Sequence, residues 1–380
     1  MRLGDICSKI GSGATPRGGK EAYSTSGIPI IRSQNVLDWS FSSNGLAYLN
    51  DEQAKTLSNV EVHQGDILLN ITGDSVARAC IVPSDVIPAR VNQHVAILRP
   101  KEKANATFIL AWLQTNKDLL LKLASSGATR NALTKRMLEG LDINLPSIDI
   151  QNHIAELISL IQSKINLNIK LNGYLLELAT TRFEQALFKS NRVVRLGDIV
   201  KLEDSKRVPL NSRDRDARKG PYPYYGATSI MDYVDDYLFD GIRVLLGEDG
   251  SVIDESGRPI LQYVWGKYWV NNHAHILAAA SDYSLEAIYI ALQRTPISHI
   301  VTGAVQRKIS QRNLNKLKLE MPDAKSLEYL QDIFAAYRCN CEENRGLVSL
   351  RDALLPKLMS GEIDVSKIDV AQLNSHLAEY

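Results

Sequence analysis

The sequence predicts a mixed α/β (α+β) protein in which two similar globular domains are joined by two long antiparallel α-helices that form a coiled coil. Three observations support this fold class. Short segments occur twice in the same order, strand-like apolar runs fill the middle of each copy, and a long helical pattern follows each copy. A duplicated unit of this kind predicts a pseudo-twofold internal repeat with two similar binding heads.

Three pairs of segments define the repeat. RLGDI begins at Arg2 and again at Arg195, and VNQHVAIL from Val91 returns as VNNHAHIL from Val270. SSGATRNALTKRMLEGLDINLP is similar to TGAVQRKISQRNLNKLKLEMP further along the chain. The offsets fall from 193 to 179 and then to 176, so we infer that the second copy has lost 17 residues from its loops. Two heads suit a ligand that itself has two parts, and duplex DNA is the obvious candidate.

Changes in pattern along the chain predict five segments. We expect a first domain at 1–148, a long helix at 149–190, a second domain at 191–324, a second long helix at 325–360 and a tail at 361–380.

In the first domain, strand-like runs begin at Ile28, Gly65, Ala79 and Val91, and Gly, Pro, Asn and Asp bound them. The stretch from Phe108 predicts one helix that ends at Gly127.

The first long helix is predicted from a continuous heptad-like seam without proline. Steps of three and four residues connect Ile154, Ile158, Ile161, Ile165, Ile169, Asn172, Leu176, Ala179, Phe183 and Ala186. A helix of this length, about 60 Å at 1.5 Å per residue, cannot be buried inside one small domain. We therefore expect it to protrude or to bridge.

The second copy follows the same plan. Strand-like runs begin at Tyr222, Tyr233, Arg243 and Tyr268, and a helix is predicted over 285–294. The second long helix carries a seam of Leu330, Ile333, Tyr337, Asn340, Asn344, Leu347, Arg351, Leu354 and Leu358. Pro356 and Gly361 mark its end.

Asparagines interrupt both seams, at Asn172 in the first helix and at Asn340 and Asn344 in the second. Polar seam residues fix the register and orientation of paired helices at some cost in stability. The alternative is that these side chains face water where the helices fray.

Composition limits the class of protein. Hydrophobic residues make up 44% of the 380 residues and charged residues 23%, as in ordinary soluble globular proteins. No segment approaches the roughly 18 apolar residues of a membrane span, and no signal peptide is visible, so a cytoplasmic protein without membrane association is expected. Four scattered cysteines predict reduced thiols, and the seven histidines form no recognisable metal site. A net charge of +1 argues against nonspecific coating of nucleic acid, although local basic patches stay possible.

The motifs of catalysis and cofactor binding are missing from the sequence. GSGATPRGGK, from Gly11, has the wrong spacing for a phosphate loop, and no GxGxxG opens a helix after a strand. GEDG, from Gly247, is interpreted as a tight turn rather than a cation loop. The sequence therefore favours a binding protein without a cofactor over an enzyme.

Taken together, these segments resemble the DNA-specificity subunit of type I restriction–modification systems over nearly the whole chain. Besides the repeated RLGDI and SSGATRNAL, the resemblance depends on GATP, GDILLNITG, YPYYGATS, YVDDYLFDG and LRDALLPKLMSGEIDV. It implies two target-recognition domains that each read one half of an interrupted DNA site, with two helices between them that set the gap. It also implies two adenine-N6 methyltransferase (modification) subunits and motor-nuclease (restriction) subunits as partners, and no active site in this subunit.

Two other functions stay open from the sequence. A free-standing DNA-binding regulator with two heads would bind specifically without partners. A protein-interaction scaffold would show no preference for any DNA sequence.

Arginine and lysine recognise guanine edges, asparagine and glutamine recognise adenine, and small polar groups contact phosphates. Candidate DNA-binding residues of the first domain, chosen in loops or at strand ends, are Arg17, Lys20, Arg32, Gln34, Asn35, Thr72, Arg78, Arg90, Thr129, Arg130, Asn131 and Lys135. Candidates in the second domain are Arg207, Arg213, Arg215, Arg218, Lys219, Tyr224, Tyr225, Gln306, Arg307 and Lys308. The basic stretch over 206–220 also contains interleaved aspartates, so a solvated surface loop is the alternative there, and the two tyrosines either contact the DNA backbone or pack.

Asn92-Gln93-His94 and Asn271-Asn272-His273 recur in both copies. Since the two heads are expected to read different half-sites, base-reading residues should lie where the copies differ, for example in residues 14–45 and 203–220. We interpret the repeated residues as fold support.

Overall fold

The computed structural model describes residues 1–16, 18, 22–125, 131–303 and 306–368. The chain divides into two compact units, residues 1–168 with 343–380 and residues 169–342. Each unit therefore contains one globular domain and part of each long helix. No helix in the described ranges combines the length and the apolar character needed to cross a membrane. The five-segment division of the chain stays a prediction.

The helices and strands alternate irregularly within each globular domain. The first domain contains α1 (Leu3–Ile6), β1 (Cys7–Ser12), β2 (Ile28–Ile31), β3 (Ala47–Leu49), α2 (Asp51–Thr56), β4 (Glu61–Val62), β5 (Ile67–Asn70), β6 (Ala79–Ile81), β7 (Ala89–Val91), β8 (Val95–Pro100), α3 (Ala106–Thr115), α4 (Lys117–Ser125) and α5 (Lys135–Glu139). The long helix α6 (Ile148–Lys189) follows it.

The second domain repeats this order with shorter connections. It contains β9 (Arg192–Arg195), α7 (Leu196–Ile199), β10 (Val200–Leu202), α8 (Ser212–Ala217), β11 (Lys219–Tyr225), β12 (Ile230–Val234), β13 (Phe239–Asp240), β14 (Arg243–Gly247), β15 (Leu261–Val264), β16 (Lys267–Val270), β17 (Ala274–Ala279), α9 (Leu285–Arg294), β18 (Val301–Thr302), β19 (Lys308–Ile309), α10 (Gln311–Asn315) and β20 (Lys318–Met321). The second long helix, α11 (Tyr329–Ser360), follows.

Both domains are built on the same pair of four-stranded sheets. The orders are β1-β8-β5-β6 and β3-β2-β7-β4 in the first domain, and β10-β17-β14-β15 and β12-β11-β16-β13 in the second. In each domain the second sheet contains one parallel pair, β2 with β7 and β11 with β16, among antiparallel neighbours. The predicted internal repeat is thus a repeat of topology, and the predicted fold class is confirmed.

The core of each domain packs one helix against its first sheet. The central strands β5 and β14 are almost entirely apolar and buried, as expected for strands covered on both faces. Helices α3 and α9 begin alike, because the side chains of Asn105 and Ser284 accept hydrogen bonds from the backbone N–H groups of Phe108 and Ala287.

Two boundaries differ from the sequence predictions. The single helix predicted over 108–127 is two helices, because α3 ends at Thr115 and the side chain of the next residue, Asn116, donates to the carbonyl of Trp112. Gly127 lies outside the described residues. The run from Tyr233 is not one strand either, since β12 ends at Val234 and β13 begins at Phe239.

The long helices pair antiparallel within each unit. In the first unit, Asn168 bonds to Asn344 while Gln162 bonds to Arg351, so rising numbers in α6 meet falling numbers in α11. Asn168 lies in the seam with 2% of its surface exposed, whereas Ile169 is 59% exposed. The predicted seam position of Ile169 was therefore wrong, because the amide of Asn168 finds partners in Glu343 and Asn344.

Candidate nucleic-acid interface

An open cavity of about 720 Å³ lies at one edge of the first domain. Its walls come from the loop after β2, the loop between β5 and β6, the turn before β8 and the segment before α5. The lining includes four predicted DNA-binding residues, namely Gln34, Thr72, Arg78 and Asn131. The fold thus gathers on one concave surface polar and basic side chains that are far apart in sequence.

Main-chain hydrogen bonds fix the rim of this cavity. The N–H of Gly73 donates to the carbonyl of Asn131 at 3.3 Å, and the N–H of Leu133 donates to Ile71 at 2.9 Å. The loop then turns through Ala77, which has a positive φ of 69°, immediately before Arg78. A non-glycine residue in this conformation is uncommon and is held by its surroundings.

Arg78 is the cation of this cavity that is best placed to bind DNA. Its half-buried side chain lines the cavity and makes no hydrogen bond or ion pair with any residue that the structure describes. A guanidinium with uncommitted donors is suited to a guanine edge or a phosphate.

Several other predicted residues of the first domain bond within the domain. Arg32 and Gln34 donate to the carbonyl of Gly45, and the buried Asn35 donates to Ser42 at 2.9 Å. These bonds hold the loop of residues 33–45 in shape.

Arg90 and Lys135 are also engaged. Arg90 is buried and pairs with Glu61 at 3.0 Å while also donating to the carbonyl of Ala54, so its geometry indicates a structural role. Lys135 is exposed and lies 3.5 Å from Glu139, one turn along α5. Arg17, Lys20, Thr129 and Arg130 lie outside the described residues.

The second domain has the same rim with different side chains. The N–H of Gly250 donates to the carbonyl of Arg307 at 3.0 Å, and the N–H of Ile309 donates to Glu248 at 2.9 Å. Arg307 therefore occupies the position of Asn131, as the offset of 176 residues predicts. Gln306, Arg307 and Lys308 are all exposed at this rim.

The basic stretch over 206–220 carries less free charge than its sequence indicates. Arg215 and Lys219 bind Asp232 at 3.3 and 2.8 Å, and Arg218 binds Asp235 at 2.9 Å. Arg213 is exposed and pairs with no acid in the described part of the chain. Most of the acidic partners lie on and beyond β12 and could not be identified from the stretch itself.

The two tyrosines after this stretch are packed inside the domain. Tyr224 and Tyr225 are both buried, and the hydroxyl of Tyr224 accepts from the N–H of Leu210 at 2.9 Å. This geometry favours the packing alternative for both.

A buried polar network lies beneath the second rim, and the sequence pattern did not predict it. Asp204 accepts from Ile276 at 2.8 Å, and its other oxygen lies 2.6 Å from Nδ1 of His275. Arg207 bridges the network, with Nη1 2.6 Å from Glu248. Asp204, Glu248 and His275 bring ligand atoms within 4.8 Å of one another, but Arg207 and Lys308 already compensate the charge of Glu248, so we assign no metal to them.

The network lowers the pKa values of both carboxyl groups. Burial alone would raise the pKa of Asp204, but contacts with His275, Ile276 and Gln311 hold this pKa below its usual value. Burial acts likewise on Glu248, whose pKa is held low chiefly by the hydrogen bond from Arg207. Both groups are therefore carboxylates at neutral pH and keep Arg207 in place beneath the rim.

Comparison with known proteins decides the family. The family model described as type I restriction modification DNA specificity domain matches residues 1–175 and again residues 189–337. This chain belongs to that family. The resemblance predicted from the sequence is confirmed, and the two matches coincide with the two copies of the repeated fold.

Individual relatives of this type I specificity protein agree. The type I restriction enzyme MjaIX specificity subunit of Methanocaldococcus jannaschii is 23% identical over 411 aligned positions, covering 97% of this chain and 94% of the relative. A Haemophilus influenzae protein named as a type I restriction enzyme specificity subunit is 30% identical over 127 residues, a third of either chain. The crystal structure of a type I restriction–modification S subunit from M. genitalium shares the fold, with a TM-score of 0.56 and 15% identity over 94% of this chain and 95% of that one. The chain is thus a specificity subunit, a recognition component rather than a catalytic one.

Proposed function

We propose that this chain is the sequence-specific DNA-recognition subunit of a type I restriction–modification complex, and that each head reads one half of an interrupted site. In this proposal, residues 1–148 and 191–324 are target-recognition domains, and 149–190 and 325–360 are spacer helices. The tail comprises residues 361–380.

One observation carries the proposal: the two heads have the same rim but line it with different side chains. Matching main-chain hydrogen bonds make Thr72 equivalent to Asp249, and Asn131 equivalent to Arg307. An identical scaffold with different polar groups is what two different half-sites require, because base edges are distinguished by their donors and acceptors.

Partner subunits follow from the same proposal. The subunit directs two adenine-N6 methyltransferase subunits and motor-nuclease subunits to the site. The net charge of +1 supports a need for partners, since tight DNA binding requires many neutralised phosphates. On α6, Leu171, Tyr174 and Leu178 share one helical face and are exposed, which offers an apolar surface for a partner helix.

The deciding experiment maps N6-methyladenine across the native genome with the gene intact and with it deleted. We expect one interrupted, two-part motif to disappear on deletion. An unchanged methylome would contradict the proposal and favour a free-standing DNA-binding protein instead.

The Arg78→Ala variant sharpens this test. It is expected to relax one position of one half-site, or to weaken that half-site uniformly if Arg78 binds a phosphate, and to leave the other half unchanged. Arg136→Ala is the matched control, because Arg136 is exposed on α5 in the same domain but does not line the cavity.

A further inference from the structure

The turn between β7 and β8 has the same geometry as the turn between β16 and β17. The side-chain oxygen of Asn92 accepts from the N–H of His94 at 3.1 Å, and that of Asn271 accepts from the N–H of His273 at 2.8 Å. Both asparagines are buried. The fold therefore accounts for the repeated asparagine, in agreement with its interpretation as fold support.

The histidine rings are held in the same way although their anchors differ. Nδ1 of His94 lies 2.6 Å from Oγ1 of Thr72, and Nδ1 of His273 lies 2.7 Å from Oδ1 of Asp249. Thr72 and Asp249 occupy equivalent positions after the central strands. In the first turn the other ring nitrogen, Nε2 of His94, lies 3.1 Å from Nε2 of Gln93, so the histidine also holds the neighbouring carboxamide.

The residues that follow the asparagines are not needed for packing. Gln93 and Asn272 are exposed, and the side chain of His273 is 46% exposed. His94 is half-buried because it forms part of the wall of the recognition cavity, together with Arg78 and Asn131. Each turn consequently presents an exposed carboxamide, on Gln93 or on Asn272, beside the surface proposed to read DNA.

We propose that the carboxamides of Gln93 and Asn272 form a phosphate-binding edge in each head; this rests on the proposed function. Two different half-sites share their sugar–phosphate backbone and not their bases, so a group repeated in both heads fits the shared part. A carboxamide N–H donates to a phosphate oxygen, and such a contact sets the register without carrying sequence information. The histidines are positioning residues, because Nδ1 of each ring already lies against Thr72 or Asp249.

The test uses the full chain assembled with its methyltransferase partners. The Gln93→Leu variant is expected to lower affinity roughly tenfold for specific and nonspecific duplexes alike, with the methylation motif unchanged. Asn272→Leu should act in the same way through the other head. Asn59→Leu is the control, because Asn59 is exposed in the first domain and lies outside the cavity.

Gln93→Asn keeps a carboxamide N–H and should retain most of the wild-type affinity at an unchanged melting temperature. Unchanged affinity in the two leucine variants would overturn the proposal. A changed base at one motif position would also overturn it, because these residues would then be base readers. So would a loss of affinity that accompanies a lower melting temperature and that Gln93→Asn shares. A wild-type complex without an interrupted motif would instead refute the proposed function, while the affinity ratios on nonspecific duplexes would still decide the phosphate contact.

Discussion

Asn172 and Asn340 form an amide pair between the two long helices, and replacing one partner alone is expected to destabilise the second unit. The Nδ2 of Asn340 donates to Oδ1 of Asn172 at 2.8 Å, and Asn172 itself donates to the carbonyl of Tyr337 at 3.3 Å. Asn172 is buried, so in an Asn340→Leu variant water cannot readily replace the missing donor. The expected cost is about 1–3 kcal/mol of unfolding free energy.

The double variant Asn172→Leu/Asn340→Leu separates pairing from packing. It removes both amides together and adds apolar contact in the seam, so it should recover most of the loss, with a coupling energy of roughly 1–3 kcal/mol. Hydrogen exchange during urea unfolding, read from peptides within residues 191–342, follows the second unit separately. Asn168→Leu is the matched control, because Asn168 pairs with Asn344 in the first unit.

The reasoning would be refuted if the losses of unfolding free energy in Asn172→Leu and in Asn340→Leu simply added up in the double variant, with a coupling energy below about 0.5 kcal/mol. The asparagines would then be solvated, as in the alternative that the helices fray at these positions.

Three further predictions concern the spacer and the two units. Four residues inserted after Gly173, matched by four after Cys339, lengthen each helix by about 6 Å. Methylome mapping should then show a DNA spacer that is longer by about two base pairs, with both half-sites kept. An unchanged spacer would show that the helices do not set its length. Arg99→Met leaves the carboxylate of the fully buried Asp66 without its ion-pair partner, so unfolding free energy should fall by about 3–5 kcal/mol, with Arg99→Met/Asp66→Asn as the control. The pKa values of Asp204 and Glu248 are lowered in the folded state, so the two carboxylates stabilise the fold fully above their ordinary pKa values of 3.8 and 4.5, and this stabilisation is lost as pH falls through the lowered values. The melting temperature of the second unit should therefore drop between about pH 5 and pH 3, and it should drop less in Asp204→Asn. A melting temperature that does not change with pH would contradict the network.

The repeat and the long helices could be predicted because they depend on local patterns. Apolar runs bounded by turn residues predicted the central strands of each four-stranded sheet, and steps of three and four residues predicted α6 to within one residue. The predicted seam was wrong at Ile169, because hydrophobicity favours isoleucine over the neighbouring asparagine at a buried position. Asn168 is preferred there only because its partners lie on another helix, which the local sequence does not show.

The candidate site was predictable only in part, for a related reason. The sequence indicates which residues carry charge but not which charges are already paired. Arg78 and Arg90 look alike in sequence, yet Arg90 is buried against Glu61 while Arg78 lines an open cavity. Likewise, Asp235 and Asp232, which pair with Arg218 and Lys219, lie more than ten residues away in the chain.

Main-chain bonds between Gly73 and Asn131, and between Gly250 and Arg307, hold the rims of the two heads. Bonds of this kind tolerate almost any side chain at the acceptor position, because only the carbonyl is used. A combinatorial library at Asn131 or Arg307 should therefore yield mostly folded proteins. Under the proposed function, the scaffold lends itself to directed evolution of new half-sites, and natural mutation has the same freedom to diversify them.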